Sequence, residues 1–225
     1  MSLKKLFFKT SFTYKIYLYY NLYIRHKGYL NRQQYSQWGE DKFITEYFKK
    51  KKKGVYVDIG CFHPFMYSNT CLLYKKGWKG INIDINPTSI DLFNIARPKD
   101  ANLCTTINEK KILFDIYFDD PFSPVNTLNK QFYENLKDRS FKEKRKLTVE
   151  SKSIKEILDI SKIDGNIDFI NIDVEGMDYE ILKNIDLDRI KPKLISAETH
   201  NVEGSKSKDF ESIVKLLDKN SFSIH

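Results

Sequence analysis

No apolar run in this chain of 225 residues approaches the roughly 20 residues that a membrane-spanning helix needs. No leader with a small-residue cleavage site is recognisable either, so export by a cleaved signal is not expected. Cysteine is scarce: Cys61, Cys71 and Cys104 stand at no metal-ligand spacing and cannot all pair, which excludes a disulfide scaffold and favours a reducing compartment. A cytoplasmic protein, at most membrane-peripheral, is expected. Glycine is also sparse where a dinucleotide fold would use it. After the apolar run Val55 to Ile59 comes Gly60, but Cys61-Phe62-His63-Pro64 lacks the second and third glycines that cradle a pyrophosphate. An NAD-dependent sugar oxidoreductase is therefore disfavoured.

What is present fits one globular core: 41% hydrophobic residues against 30% charged. The net charge of +8 points to acidic partners such as phosphorylated sugars or anionic lipid headgroups. Nucleic acid is not expected, because no RNA-binding module accompanies the charge. Residues 1–34 form a basic aromatic extension, with Phe7, Phe8, Phe12, Tyr14, Ile16, Tyr17, Tyr19, Tyr20, Leu22, Tyr23 and Ile24 interleaved with lysine and arginine. Over residues 3–30 it reads as a helix lying on an anionic membrane surface, or as one packed on the domain or a partner subunit.

From residue 35 to 225 the chain alternates strand and helix signals. Val55 to Ile59, Gly80 to Asp84, Ala101 to Ile107, Ile167 to Ile172 and Lys193 to Ala197 read as strands. Helices are expected after Asp41, from Ser68 or Asn69 to Lys76, from Asn86-Pro87 to Ala96, after the Ser153/Glu156 capping box, from Met177 and from Asp209. That rhythm predicts an α/β fold, a mainly parallel sheet with helices on both faces. Lys49 to Lys53 reads as a solvated helix end. Residues 111–149 read as an insert with strand-like edges, two prolines in Asp119 to Asn126 and a helical stretch Leu128 to Leu136. Substrate selectivity is expected there.

Ligands of such sheets lie at the carboxyl ends of the strands. Four of the strands end in acids, Asp58, Asp84, Asp173 and Glu198, with Glu175 and His200 two residues beyond the last two. Several carboxylates on one rim repel one another unless a cation joins them. A sulfonium, an ammonium group or a divalent metal would serve.

Ser36-Gln37-x-Gly39-Glu40-Asp41, Tyr56-Val57-Asp58-Ile59-Gly60-x-x-His63-Pro64, Ser68-Asn69-Thr70, Gly77-Trp78-x-Gly80-Ile81-Asn82-Ile83-Asp84 and Asn171-Ile172-Asp173-Val174-Glu175-Gly176 resemble the FkbM family of S-adenosylmethionine-dependent methyltransferases. The resemblance covers about residues 35 to 220. It implies a Rossmann-like class I methyltransferase sheet of seven strands, the last antiparallel, and the chain stops at Ser221 to His225, about where the closing hairpin would begin. It implies S-adenosylmethionine as cofactor, with Asp58 and Gly60 in the cofactor loop, Asp84 on the ribose and Asp173 facing cofactor and acceptor. Gln37 is expected at the methionine end and Thr106 beside the adenine. The acceptor is expected to be a saccharide, a nucleotide-sugar or another polyhydroxyl compound, as in surface polysaccharide assembly. His200, Glu175, Glu198 and Asp173 are the candidate catalytic groups, and Asp173 with Glu198 the candidate metal ligands. A non-catalytic binding module of the same fold, recognising nucleic acid or lipid through its basic surface, is the alternative.

Overall fold

A computed structural model describes residues 11–118, 145–163, 166–174, 176–199 and 205–224. Five short strands rich in β-branched residues, β1 (Val55–Ile59), β2 (Lys79–Asp84), β3 (Ala101–Cys104), β6 (Phe169–Ile172) and β7 (Leu194–Ala197), pair in parallel in the order β3-β2-β1-β6-β7. The chain runs outward from β1 to β3, then crosses back to place β6 on the other side of β1. The order thus reverses between the tips of β1 and β6, where open α/β sheets bind ligands. The described strands of this sheet are all parallel, and the antiparallel strand that the resemblance implies is not among the described residues.

Strand alternation sorts the side chains onto two faces. Val57, Ile59, Ile81, Ile83, Ile170 and Ile172 form an unbroken apolar face. It is covered by α5 (Ile154–Ser161), α6 (Asp178–Leu182), α7 (Leu187–Ile190) and α8 (Phe210–Lys219) through Ile154, Ile157, Ile181, Leu182, Leu187, Ile190 and Ile213. On the opposite face Tyr56 and Phe169 pack with Ile44 and Phe48 of α2 (Glu40–Tyr47) and its end, Leu73 of α3 (Cys71–Lys75), and Trp78. Helix α4 (Pro87–Ala96) starts as its sequence signals, with Pro87 in the first turn and the Asn86 side chain accepting from the Thr88 N–H at 2.9 Å. The Ser153/Glu156 capping box is also formed.

The second face carries a polar row. Asn102, Asn82, Asp58, Asn171 and Ser196 stand in register across all five strands. Beneath it Arg97, fully buried, donates to Tyr56 Oη (3.1 Å), Thr70 Oγ1 (2.8 Å), Ser68 Oγ (2.9 Å) and the Pro64 carbonyl (2.6 Å). Asp100 closes the network by accepting from Tyr56 Oη (2.6 Å), the Gly80 N–H (2.9 Å) and Asn82 Nδ2 (3.1 Å). Gly80 has to be glycine for this: a Cβ there would sit 2.3 Å from the Tyr56 ring.

The structure corrects several expectations. Ser68, Asn69 and Thr70 do not cap α3 with their side chains; all three turn inward, Asn69 to Asn171 Oδ1 (2.9 Å) and Thr70 to Asp58 Oδ2 (2.5 Å), because the buried carboxylate, amide and guanidinium need partners. Lysine 51 in the run Lys49 to Lys53 is not merely solvated: with Lys193 it brackets the buried Asp168 carboxylate at 2.6 and 2.9 Å. β3 ends at Cys104, since residues 105–108 leave the sheet to bridge Lys152. The edges of the insert are strands, β4 (Leu113–Phe118) paired antiparallel with β5 (Arg145–Glu150). The loop and helix expected between them lie outside the described residues.

The described part of the amino-terminal extension is mainly helical: α1 (Ser11–Tyr20) runs into a wider π turn, Asn21–Arg25, and a short 3-10 turn, Lys27–Tyr29. It forms a third layer outside α4. Leu18 and Leu22 are buried against Leu92, Ile95, Ala96 and Phe65, and Tyr14 Oη donates to Asp91 at 2.8 Å.

Candidate active site

The loop leaving β1 is held from both sides. Gly60 has φ +79°, and a Cβ on it would lie 1.8 Å from the Asp173 carbonyl. Glycine is therefore required first by the close approach of the β1 and β6 tips, rather than by a ligand. His63 fixes the next turn: it is 3% exposed, Nδ1 accepts the Phe65 and Met66 N–H groups at 3.1 and 3.0 Å, and the Nε2–H faces Asn21 Oδ1 at 3.2 Å. Desolvation, with the charges of His26 and Arg97 nearby, lowers its pKa to about 3, so this ring stays neutral and ties the loop to the amino-terminal layer.

Asp58 lies below the rim. It is 2% exposed, and its oxygens accept from Thr70 Oγ1 and from Asn171 Nδ2 (2.9 Å). Burial raises its pKa, while the bonds from Thr70 and Asn171 and the Arg97 charge pull it down. Its place makes it the anchor of the loop that carries Gly60. Asp84, one position beyond the Ile59–Ile83 pair, stands on the adjacent strand at the same end of the sheet. Its carboxylate accepts the Phe62 N–H (2.8 Å) and the Asn86 N–H (2.7 Å), with the Ile85 N–H as a third backbone donor, which leaves acceptor capacity for one further hydrogen bond. Desolvation pushes its pKa up to about 6, against those backbone bonds and with help from Asp58.

The third group of acids sits across the switch point. Asp173 follows β6 and is exposed; Glu198 follows β7 and is half-buried. Between them Asp178, 4% exposed on the first turn of α6, accepts the Glu198 N–H at 3.4 Å. Desolvation and the Asp173 charge push its pKa up to about 7. Glu175 and His200 lie outside the described residues. Among the described residues no group of three or more histidine, cysteine or acidic side chains is gathered to hold a metal ion.

Thr106 is 5% exposed, and its carbonyl accepts the Lys152 N–H at 2.9 Å; Thr105 Oγ1 donates to the Glu150 carbonyl at 2.7 Å. These threonines fasten the β4–β5 pair to the sheet. Gln37 is placed differently. In Ser36-Gln37-Trp38-Gly39-Glu40-Asp41 the buried Asp41 accepts the Tyr35 N–H and the Ser36 hydroxyl, both at 2.6 Å, and Gly39 adopts φ +105°. Ser36, Gly39 and Asp41 thus shape the turn, and Gln37 and Trp38 are displayed outward, Trp38 at 82% exposure. Gln37 lines a pocket of about 390 Å³ with Tyr29, Arg32, Gln33, Gln34 and Tyr67. Tyr67 belongs to the loop that leaves β1, and the Ser68 N–H bonds the Tyr35 carbonyl at 3.2 Å, so pocket and loop adjoin.

A family model for the methyltransferase FkbM domain matches residues 53–224, most of the chain. The chain belongs to the FkbM methyltransferase family. Neither the curated proteins nor the solved structures contain a match. The match begins at residue 53, so α1 and the Gln37 turn lie before it.

Several groups of this FkbM methyltransferase were not singled out from sequence: Arg97, Asp100, Asn171 as a partner of Asp58, and Asp178. A usable signal was present for Asn82, Asp58 and Asn171. Each is a polar residue flanked on both sides by β-branched apolar residues of its strand, and a buried polar group needs a partner. Nothing near Arg97 in the sequence distinguishes it from a surface residue after a helix.

Proposed function

We propose that this methyltransferase uses S-adenosylmethionine to methylate a hydroxyl oxygen of a saccharide, nucleotide-sugar or similar polyhydroxyl acceptor. The observation that carries the reading is the rim at the switch point. Asp84 and Asp178 are buried there with pKa values raised to about 6 and about 7, beside the exposed Asp173. Desolvated acids favour a cationic ligand that restores what burial takes from their charged form. That donor set fits the cofactor, with Asp84 offering its remaining acceptor capacity to a ribose hydroxyl and Asp173 facing its cationic portion. When bound, the cofactor supplies an already activated methyl group.

The chain's own work is then to position, desolvate and deprotonate. Gly60 and the His63-anchored turn hold the loop floor, with Asp58 as its anchor. The pocket at Gln37 supports the acceptor class: three glutamines, an arginine and two tyrosines offer both donors and acceptors beside aromatic faces, a mixture suited to hydroxyls and sugar C–H faces. We assign Gln37 to the acceptor side for this reason. A sugar hydroxyl needs a base, for which Glu198, and Glu175 and His200 next to the β6 and β7 ends in sequence, are the candidates.

The test is mass spectrometry of nucleotide-sugars and glycans incubated with isotope-labelled S-adenosylmethionine, alongside calorimetric titration with the cofactor and its demethylated product. Labelled methyl on a saccharide oxygen is expected. Cofactor binding with no transfer to any polyhydroxyl compound would favour a binding module, and no cofactor binding at all would overturn the reading.

A further inference from the structure

Helix α1 and the π turn have two apolar sides, and among the described residues only one is packed on the domain. Tyr17, Leu18, Asn21 and Leu22 are buried on α4 and the loop after β1. The opposite side presents Phe12, Ile16, Tyr19, Tyr20, Tyr23 and Ile24 to solvent, with Phe12 at 72% and Ile24 at 60% exposure. Their spacing keeps them on one continuous stripe. Exposed apolar stripes of this size mark interaction surfaces rather than folding requirements.

Charge says what covers it. Residues 1–39 contain seven lysines and arginines, Lys4, Lys5, Lys9, Lys15, Arg25, Lys27 and Arg32, and no acid before Glu40. A second copy would bring two such all-positive surfaces together, which like-charge repulsion disfavours. We propose that this stripe is an interfacial anchor for an anionic lipid bilayer. Phe12, Ile16 and Ile24 enter the headgroup–acyl boundary, the tyrosines lie at headgroup level with ring and hydroxyl each in its preferred medium, and the flanking cations meet lipid phosphates. Because the inner side is packed on α4, and Asn21 meets His63 of the loop after β1, docking orients the whole domain rather than tethering it by a loose tail.

Flotation of the full chain with vesicles tests this. Binding is expected to phosphatidylcholine vesicles carrying about a third phosphatidylglycerol, with little to phosphatidylcholine alone, and it should fall steeply at roughly 0.5 M salt. Phe12→Ser/Ile16→Ser and Lys15→Glu/Lys27→Glu alter only exposed side chains, so their melting should match the parent. Each should weaken vesicle binding by at least about tenfold. The proposal is overturned if the parent does not float with anionic vesicles, if neither variant differs from it, or if oligonucleotides displace the vesicles at equal charge. Dimers by light scattering that Phe12→Ser/Ile16→Ser dissolves, without vesicle binding, would also overturn it.

Discussion

Replacing Asp178 by asparagine should make the protein more stable, and by a clearly larger margin at pH 8 than at pH 5. The carboxyl is 4% exposed, and its pKa rises from 3.8 to about 7 through desolvation and the neighbouring Asp173 charge. A raised acid pKa means that the folded state holds the proton more tightly than the unfolded chain. The stabilisation is fully present below pH 3.8 and is lost as pH rises through about 7. At about 1.4 kcal/mol for each pH unit between those two values, ionising Asp178 within the fold costs about 4 kcal/mol at most. Asparagine keeps the carbonyl-type acceptor for the Glu198 N–H and removes the charge. Urea unfolding at the two pH values should show the variant about 3–4 kcal/mol more stable than the parent at pH 8, and only about 1–2 kcal/mol more stable at pH 5, where part of the loss has already occurred. Asp84, with its pKa raised to about 6, acts in the same direction in both proteins and cancels in the comparison. A stability difference of the same size at both pH values would refute the reasoning.

Arg97→Met should cost about 3–5 kcal/mol in chemical denaturation, since it strips Tyr56, Thr70, Ser68 and the Pro64 carbonyl of a buried charged donor and leaves Asp58 without its nearest cation. A loss below about 1 kcal/mol would mean that the network under the polar row is not integral to the sheet. Gln37→Ala should lower kcat/KM for the acceptor by about 10-fold or more while leaving the cofactor's dissociation constant unchanged, because the Gln37 side chain lines the pocket and projects from a turn shaped by other residues. Weakened cofactor binding with unchanged acceptor KM would return Gln37 to the cofactor side.

The strand positions and the two-sided helix layers followed from the hydrophobic pattern because local pattern alone decides which residues can be buried on a sheet. Asn86-Pro87 and Ser153/Glu156 marked helix starts for a similarly local reason. What escaped the sequence was long-range. Whether Ser68-Asn69-Thr70 caps a helix or serves Asp58, Asn171 and Arg97 depends on residues up to about a hundred positions away. Lys51 looked solvated because its partner, Asp168, lies far along the chain. In the site, the acids at the strand ends were legible as a group, yet their division of labour was not. Asp58 lies beneath the rim and Asp178, inconspicuous in sequence, sits within it, because burial depth and neighbouring charge are properties of the assembled sheet.

That division bears on discrimination between cofactor and product. A rim whose acids resist ionisation when alone should attract a cation more strongly as they lose their protons, and Asp84 and Asp178 do so through about pH 6 and about pH 7. S-adenosylmethionine carries a sulfonium that its demethylated product lacks, so the affinity ratio of the two should rise as pH goes from roughly 5.5 to 8, by up to about tenfold for one charge pair near a protein surface. Protons should be released on binding S-adenosylmethionine near pH 6.5, and calorimetry in buffers of differing ionisation enthalpy measures that release. In Asp178→Asn the pH dependence should shrink, while its centre moves toward the Asp84 value of about 6. A ratio that stays flat across this range, or that falls with rising pH, would mean that the sulfonium does not face these carboxylates, and the cofactor's placement at the switch point would have to be abandoned even if methyl transfer itself were observed.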